Sequence, residues 1–311
     1  MAIPELAFVL ALLFPQAGGP PQDGYALLQA NRPAEARAAF EEALARNASD
    51  ASAQAGEVAA SESLALQARV AGHMEDALQT LLRARDYVPQ SARLLYDLGI
   101  LEDEMRLFQD ADKSLSEADR MQPGDARTIY GIARVKLDLG QLTAAEEKMK
   151  AYLALRPDDA TAHFGLGRIY QIGLQPEKAR VEFLKSAELQ PVQTEAYFEL
   201  GDLALKDDGF DEAIAQFAKT LQRDPKHGGA LEGTGEAYFK KKDFEKAQDF
   251  LERAISAAPN YSPSHYYLGL TLNKLGRKSD AALQLALAAK LASEDNAAQT
   301  HHPPSQTSPQ Q

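Results

Sequence analysis

The residues of this chain best suited to chemistry are its histidines, one glycine-rich stretch and one acidic cluster. His73, His163, His227 and His265 stand far apart, and none opens the His-Glu-x-x-His spacing that puts two zinc ligands on one helix face. His301 and His302 are adjacent, but two histidines make a poor metal tract. Gly228, Gly229, Gly233 and Gly235 lead into a helix as a phosphate loop would. Such a loop needs lysine and then serine or threonine after its last glycine, and here Glu236 follows, so close packing is the simpler reading. Asp207, Asp208, Asp211 and Glu212 gather at a turn without the spacing of a calcium loop; carboxylates there favour the dipole of the helix that begins. The chain has no cysteine, which removes disulfides, thiol catalysis, cysteine metal sites and a lipid anchor on an N-terminal cysteine. Asn47-Ala48-Ser49 and Asn260-Tyr261-Ser262 fit the glycosylation pattern, which matters only in a eukaryotic secretory pathway. The expectation is a non-catalytic protein with no cofactor and no metal.

Formal net charge is −12 over 311 residues. Phosphate binding needs a basic stripe, so nucleic acid is not the expected partner, and an anionic membrane surface is disfavoured for the same reason.

The elements that would position any binding residue follow a strict period. Prolines stand at Pro89, Pro123, Pro157, Pro191, Pro225 and Pro259, each 34 residues from the last. Twelve residues before each is an alanine: Ala77, Ala111, Ala145, Ala179, Ala213 and Ala247, with Ala281 continuing the column. A second column reads Gly99, Ala133, Gly167, Gly201, Gly235, Gly269. His163 and His265 share the column of Leu95, Ile129, Tyr197 and Leu231, which assigns both to packing. Each row holds two apolar stretches at helical spacing split by a short turn, hence one helical hairpin. Small residues mark close approach of two helices, and the proline ends the second helix. One hairpin cannot bury its own apolar faces, so the rows must stack.

The row from Thr194 to His227 carries Tyr197, Leu200, Gly201, Phe210, Asp211, Glu212, Ala213, Phe217 and Pro225. This pattern resembles the tetratricopeptide repeat (TPR) family, over roughly residues 22–292. There are departures. No row has tryptophan; Arg106, Leu174, Asp208 and Lys242 replace the usual turn glycine, with Gly173 and Gly209 one place away; Tyr152, Ser186 and Thr220 replace a usual alanine. The resemblance implies an all-α, right-handed superhelical solenoid of about eight helical hairpins. It also implies a concave groove, lined by each row's first helix, in which peptides bind.

Residues 1–21 stand apart. Leu6–Phe14 is a continuous apolar run followed by small residues and prolines, and reads as a secretory signal or as an apolar cap on the first hairpin. It is too short to span a bilayer, so no stable membrane span is expected after cleavage. The setting is then periplasmic or secreted, and otherwise cytoplasmic. Residues 22–50 form a degenerate first repeat, seven residues out of phase, which implies a longer first helix over about Asp50–Ala71 in the next row. Repeats then end at 91, 125, 159, 193, 227, 261 and 292, and residues 293–311, rich in Gln, Ser, Thr and Pro, read as a disordered tail.

In the groove so implied, one column reads Tyr96, Tyr130, Phe164, Phe198, Glu232, Tyr266. Arg93, Arg127, Arg134 and Arg168 make its N-terminal part basic, and Asp202 and Glu236 make it acidic further on. The candidate site is therefore Arg93, Tyr96, Arg127, Tyr130, Arg134, Phe164, Arg168, Phe198 and Asp202, receiving a protein or peptide whose acidic part meets the arginines. The asparagines with which some TPR proteins clamp a C-terminal carboxylate are absent; Gly131, Gly165, Glu199, Arg134 and Arg168 hold such positions. In the last row, columns that are mostly polar elsewhere become Leu283 and Leu287, a candidate docking face through which self-association is possible. The expected function is a protein-binding scaffold, with an accessory subunit of an enzyme or secretion machine as the other reading.

Overall fold

A computed structural model of the chain describes residues 20–301, with side chains for 21–294. The described residues form sixteen helices and no strands, paired as eight successive hairpins. These are α1 (Pro20–Gln29) with α2 (Pro33–Arg46), α3 (Ala51–Val70) with α4 (Met74–Tyr87), and α5 (Ala92–Glu104) with α6 (Phe108–Met121). Next come α7 (Ala126–Asp138) with α8 (Leu142–Leu155), α9 (Ala160–Ile172) with α10 (Pro176–Leu189), and α11 (Thr194–Lys206) with α12 (Phe210–Arg223). The last are α13 (Gly228–Lys240) with α14 (Phe244–Ala257), and α15 (Ser262–Lys274) with α16 (Lys278–His301). They fall into two compact units, one reaching to Ala151 and one starting at Tyr152. None of the described helices is long and apolar enough to cross a membrane.

The proline rhythm sets the ends of these helices. The residue before each proline leaves the helical region: Val88, Gln122, Gln190, Asp224 and Ala258 have φ between −120° and −137°. Two residues after the proline comes the N-cap of the next helix. Ser91, Asp125 and Asp159 accept hydrogen bonds from the free amides of Leu94, Thr128 and Ala162, and His227 does the same for Ala230 through Nδ1. Each such cap satisfies a donor the helix leaves open.

Inside each hairpin the turn returns to one backbone state. Gly72, Gly140 and Gly276 take positive φ, and so do Arg106, Leu174, Asp208 and Lys242 at the same step of the period. Gly173 and Gly209 lie one place away and keep negative φ, so they do not take over the missing glycine's part. Holding a side-chain-bearing residue in the left-handed region costs about 1–2 kcal/mol, which the packed helices on either side must offset.

The packing device is a knob on each second helix. Leu115, Met149, Phe183, Phe217 and Leu251 are spaced by 34 and are at most 2% exposed. Sixteen residues before the knob stands the small residue of the same hairpin. A Cβ added at Gly167, Gly201, Gly235 or Gly269 would lie 2.6 Å from Phe183, Phe217, Leu251 or Leu285. Phe217 is gripped from both sides, because a Cβ at Gly233, sixteen residues later on α13, would also meet its ring at 2.6 Å. The same holds for Phe40, which lies between Gly24 and Gly56. The degenerate first repeat thus uses the same contact seven residues early, and α3 carries the expected extension, capped by Asp50.

One boundary needs correction. The last helix runs beyond Ala292 to His301. Residues 293–301 contain Glu, Ala and Gln, which favour helix, and no proline occurs before Pro303. The apolar run Leu6–Phe14, His302 and the rest of the tail lie outside the described residues.

Gly201→Ala tests the knob contact. A methyl 2.6 Å from a fully buried ring is overpacking worth about 1–3 kcal/mol, against about 1 kcal/mol gained from helix propensity. The expected result is a lower melting temperature by circular dichroism, partly restored by adding Phe217→Leu. An unchanged or raised melting temperature contradicts the contact.

Candidate functional site

In a regular array the first helices repeat one face. In the first unit that face carries Arg93 and Tyr96 on α5 and Arg127, Tyr130 and Arg134 on α7. In the second unit it carries Phe164 and Arg168 on α9, Phe198 and Asp202 on α11, Glu232 and Glu236 on α13, and Tyr266 on α15. Tyr96, Tyr130, Phe164 and Phe198 are half-buried, because their rings lean inward. Phe164 packs on Phe183 with ring centres 5.5 Å apart, and Phe198 packs on Phe217 at 5.9 Å. Tyr266 is 47% exposed.

All four arginines are exposed, as expected, but each already has an anionic partner. Arg93 pairs with Glu62 of α3, Arg134 with Asp103 at 3.1 Å, and Arg168 with Glu199 at 3.2 Å. Arg127 lies 3.5 Å from Asp125 and stands over the Tyr96 ring at 5.1 Å. The expectation of a basic N-terminal part is therefore corrected: carboxylates on the same face offset its charge. Asp202 does not meet Arg168 but pairs with Lys206 at 2.6 Å.

The sequence carries a signal for these partners. Glu62 and Arg93, Arg168 and Glu199, and Glu236 and Tyr267 are each 31 residues apart. That is one period less about one helical turn, the step between facing positions on neighbouring first helices. Columns compared only at 34 miss it.

Several carboxyls here are buried and hold their protons unusually well. In the first unit, burial and the neighbouring Asp97 carboxyl raise Glu62 above the ordinary carboxylate range, while Arg93 pulls it down. Burial and Asp97 prevail, since the Arg93 side chain is 65% exposed and spends much of its field on water. Asp97 is raised too, chiefly by burial. Glu62 and Asp97 with Arg69, Arg93 and Arg127 line a recess of about 350 Å³. On the same helix, burial lifts Glu57 to about 7, although Ser61 donates a hydrogen bond to it at 3.1 Å. In the second unit, burial, Glu236 and Asp202 together lift Glu232 to about 8.

His163 and His265 take part in packing. The Nε2 atoms of His163 and His265 meet the carbonyls of Pro157 and Pro259 at 2.9 and 2.8 Å, and their Nδ1 atoms meet Glu182 and Gln284. They tie the inter-repeat turn to the second helix. The glycines of α13 serve packing: Gly229 faces Phe198, Gly233 faces Phe217, and Gly235 faces Leu251. In the acidic cluster, Arg180 bridges Asp207 and Glu212. Leu283 is 70% and Leu287 38% exposed on α16, and Leu283 rims a recess of about 310 Å³ that includes Ile255, Leu268 and Leu272.

Comparison with known proteins places this geometry. Residues 130–196 and 198–263 match the family model described as tetratricopeptide repeat. Among solved structures, YrrB, described as a TPR protein with an unusual peptide-binding site, is 23% identical with a TM-score of 0.51, covering 59% of this chain and 95% of that one. A tetratricopeptide repeat protein from Parabacteroides merdae is 18% identical with a TM-score of 0.59, covering 75% and 93%. PilW, described as a type IV pilus biogenesis factor, is 17% identical with a TM-score of 0.55, covering 62% and 90%. These likenesses establish the fold. No curated protein matches the sequence.

The raised carboxyls set a pH dependence. The folded Glu62 keeps its proton at pH values where the unfolded chain has lost it. Its contribution to stability is therefore full below the ordinary carboxylate range and is lost as pH rises through its raised pKa. Glu62→Gln mimics the protonated form. Its melting temperature is expected to match the parent near pH 5 and to exceed it increasingly toward pH 9. A gap that stays constant with pH contradicts the assignment.

Proposed function

We propose that this chain, which belongs to the tetratricopeptide repeat proteins, is a non-catalytic scaffold that holds an extended polypeptide segment on the face of its first helices. One observation carries the reading. Four successive first helices of the second unit, α9, α11, α13 and α15, present Phe164, Phe198, Glu232 and Tyr266 from one repeat position. A row of aromatic surface interrupted by one carboxyl suits a chain with side chains at regular spacing. YrrB, with its described peptide-binding site, supports this use of the fold. The arginines that the sequence assigned to an acidic partner enter the reading as paired groups, so the aromatic positions supply the contact area and the ion pairs its orientation.

Panning a library of extended peptides against the immobilised full chain tests this. Peptides recovered should lose about tenfold or more in affinity to Tyr266→Ala, since truncating an aromatic anchor costs about 2 kcal/mol or more. Val181→Ala, at a residue of α10 that is 62% exposed, should leave them unaffected. Equal loss in both variants, or loss only in Val181→Ala, contradicts the reading.

The exposed leucines of α16 favour a second contact, between two copies of the chain. No described helix covers Leu283 and Leu287, and Ile255, Leu268 and Leu272 line the recess that Leu283 adjoins, beside Glu252 of α14. Changing both to glutamate is expected to lower the mass measured by light scattering. A folded double variant with the parent's mass contradicts self-association.

The apolar run Leu6–Phe14 supports an envelope or secreted setting, where such a scaffold would serve assembly of a larger complex. Protein taken from its native cell should begin between about Gly18 and Asp23, just beyond the apolar core. Intact Met1 in a cytosolic fraction contradicts export.

A further inference from the structure

Glu232 breaks the aromatic column of the first helices, occupying on α13 the place that Phe198 and Tyr266 hold on α11 and α15. It is only 8% exposed, and among the described residues no hydrogen bond or ion pair holds it. The charges nearest it are both negative, Asp202 of α11 and Glu236 of its own helix. The cations and donors of this region are engaged elsewhere. Lys206 pairs with Asp202 at 2.6 Å, Lys240 stands 3.8 Å from Glu236, and the Tyr267 hydroxyl donates to Glu236 at 2.5 Å. The Tyr261 hydroxyl feels the same three carboxyls, and its ring is 46% exposed. A carboxyl so largely withdrawn from water without a protein donor is costly to keep, and a hydrophobic residue of similar size would remove that cost.

We propose that Glu232, with Asp202 and Glu236, forms a subsite for a cationic side chain, arginine before lysine, of the extended polypeptide held on the second unit's face. This rests on the scaffold reading above and names the chemistry of its ligand. A metal ion does not fit: among the described residues no three histidine, cysteine or acidic side chains are placed to hold one. A nucleic acid would set phosphates against three carboxyls. A guanidinium answers the geometry because its planar fork can donate to two carboxylates at once, and it is shed of water more readily than an ammonium. Its face can also rest on the exposed rings of Tyr261 and Tyr266.

The entering cation would favour ionised Glu232, so binding at neutral pH releases a proton. The test uses the full chain and three labelled glycine-serine peptides, carrying arginine, its neutral analogue citrulline, or glutamate at alternate positions. The arginine peptide should bind about tenfold or more tightly than the citrulline peptide. Calorimetry in two buffers of different ionisation enthalpy should register proton release. Glu232→Gln should abolish both the preference and the release while circular dichroism stays native, and Asp202→Asn should weaken the preference in part. Equal binding of the arginine peptide by parent and Glu232→Gln overturns the subsite. So does preference for the glutamate peptide, or failure of the arginine peptide to bind while library-selected peptides do; in those cases the scaffold reading stands without it. If no peptide of any kind binds, both fall.

Discussion

The contact on which the structure depends is a bulky side chain of the second helix seated against a glycine sixteen residues before it. Without a Cβ at Gly201, the α11 backbone comes close enough for Phe217 to fill the space between the helices; with one, the two would collide at 2.6 Å. A matching glycine sixteen residues after the knob, as at Gly233, lets the next hairpin close over the same ring. The hydrophobic effect supplies the drive, but the close fit decides the spacing. Since Phe40 sits between Gly24 and Gly56 in the same way, the first repeat belongs to the array even though its period is broken.

That constraint also leaves room for a polar face. The position sixteen residues after a knob is glycine at Gly131 and Gly233, but Asp97, Glu199 and Tyr267 hold it in other repeats. Each of those three engages a group on a neighbouring helix of the same face: Asp97 with Glu62, Glu199 with Arg168 and Gln171, Tyr267 with Glu236. Departures from the small residue thus build the ionisable network of the first helices. Such partly buried networks specify orientation more than they add stability. Glu232 is the exception: it lies on that face and, among the described residues, finds no partner.

Much of this was legible from residue types and spacing. The prolines fixed the inter-repeat turns, and the alanine and glycine columns marked the close approach of helices; the hairpins follow from them. The turn positions were less so: Gly173 and Gly209 stand one place from the usual turn glycine, but the packed helices hold Leu174 and Asp208 in the left-handed state. The charge of the face was misread because arginines stand in aligned columns while their partners stand 31 residues away, on the neighbouring helix. A comparison limited to columns counts Arg93, Arg134 and Arg168 as free. Burial of Glu232 was not legible either, since it depends on neighbours from α11 and α15.

The most direct test of the account is where a bound polypeptide touches the chain. A photo-crosslinking residue placed at Tyr266, on the first-helix face, or at Val181, on an exposed second-helix surface, compares a first-helix with a second-helix surface under identical conditions. The account predicts efficient crosslinking of library-selected peptides from position 266 and background levels from position 181. Crosslinks from position 181 with none from position 266 would contradict it.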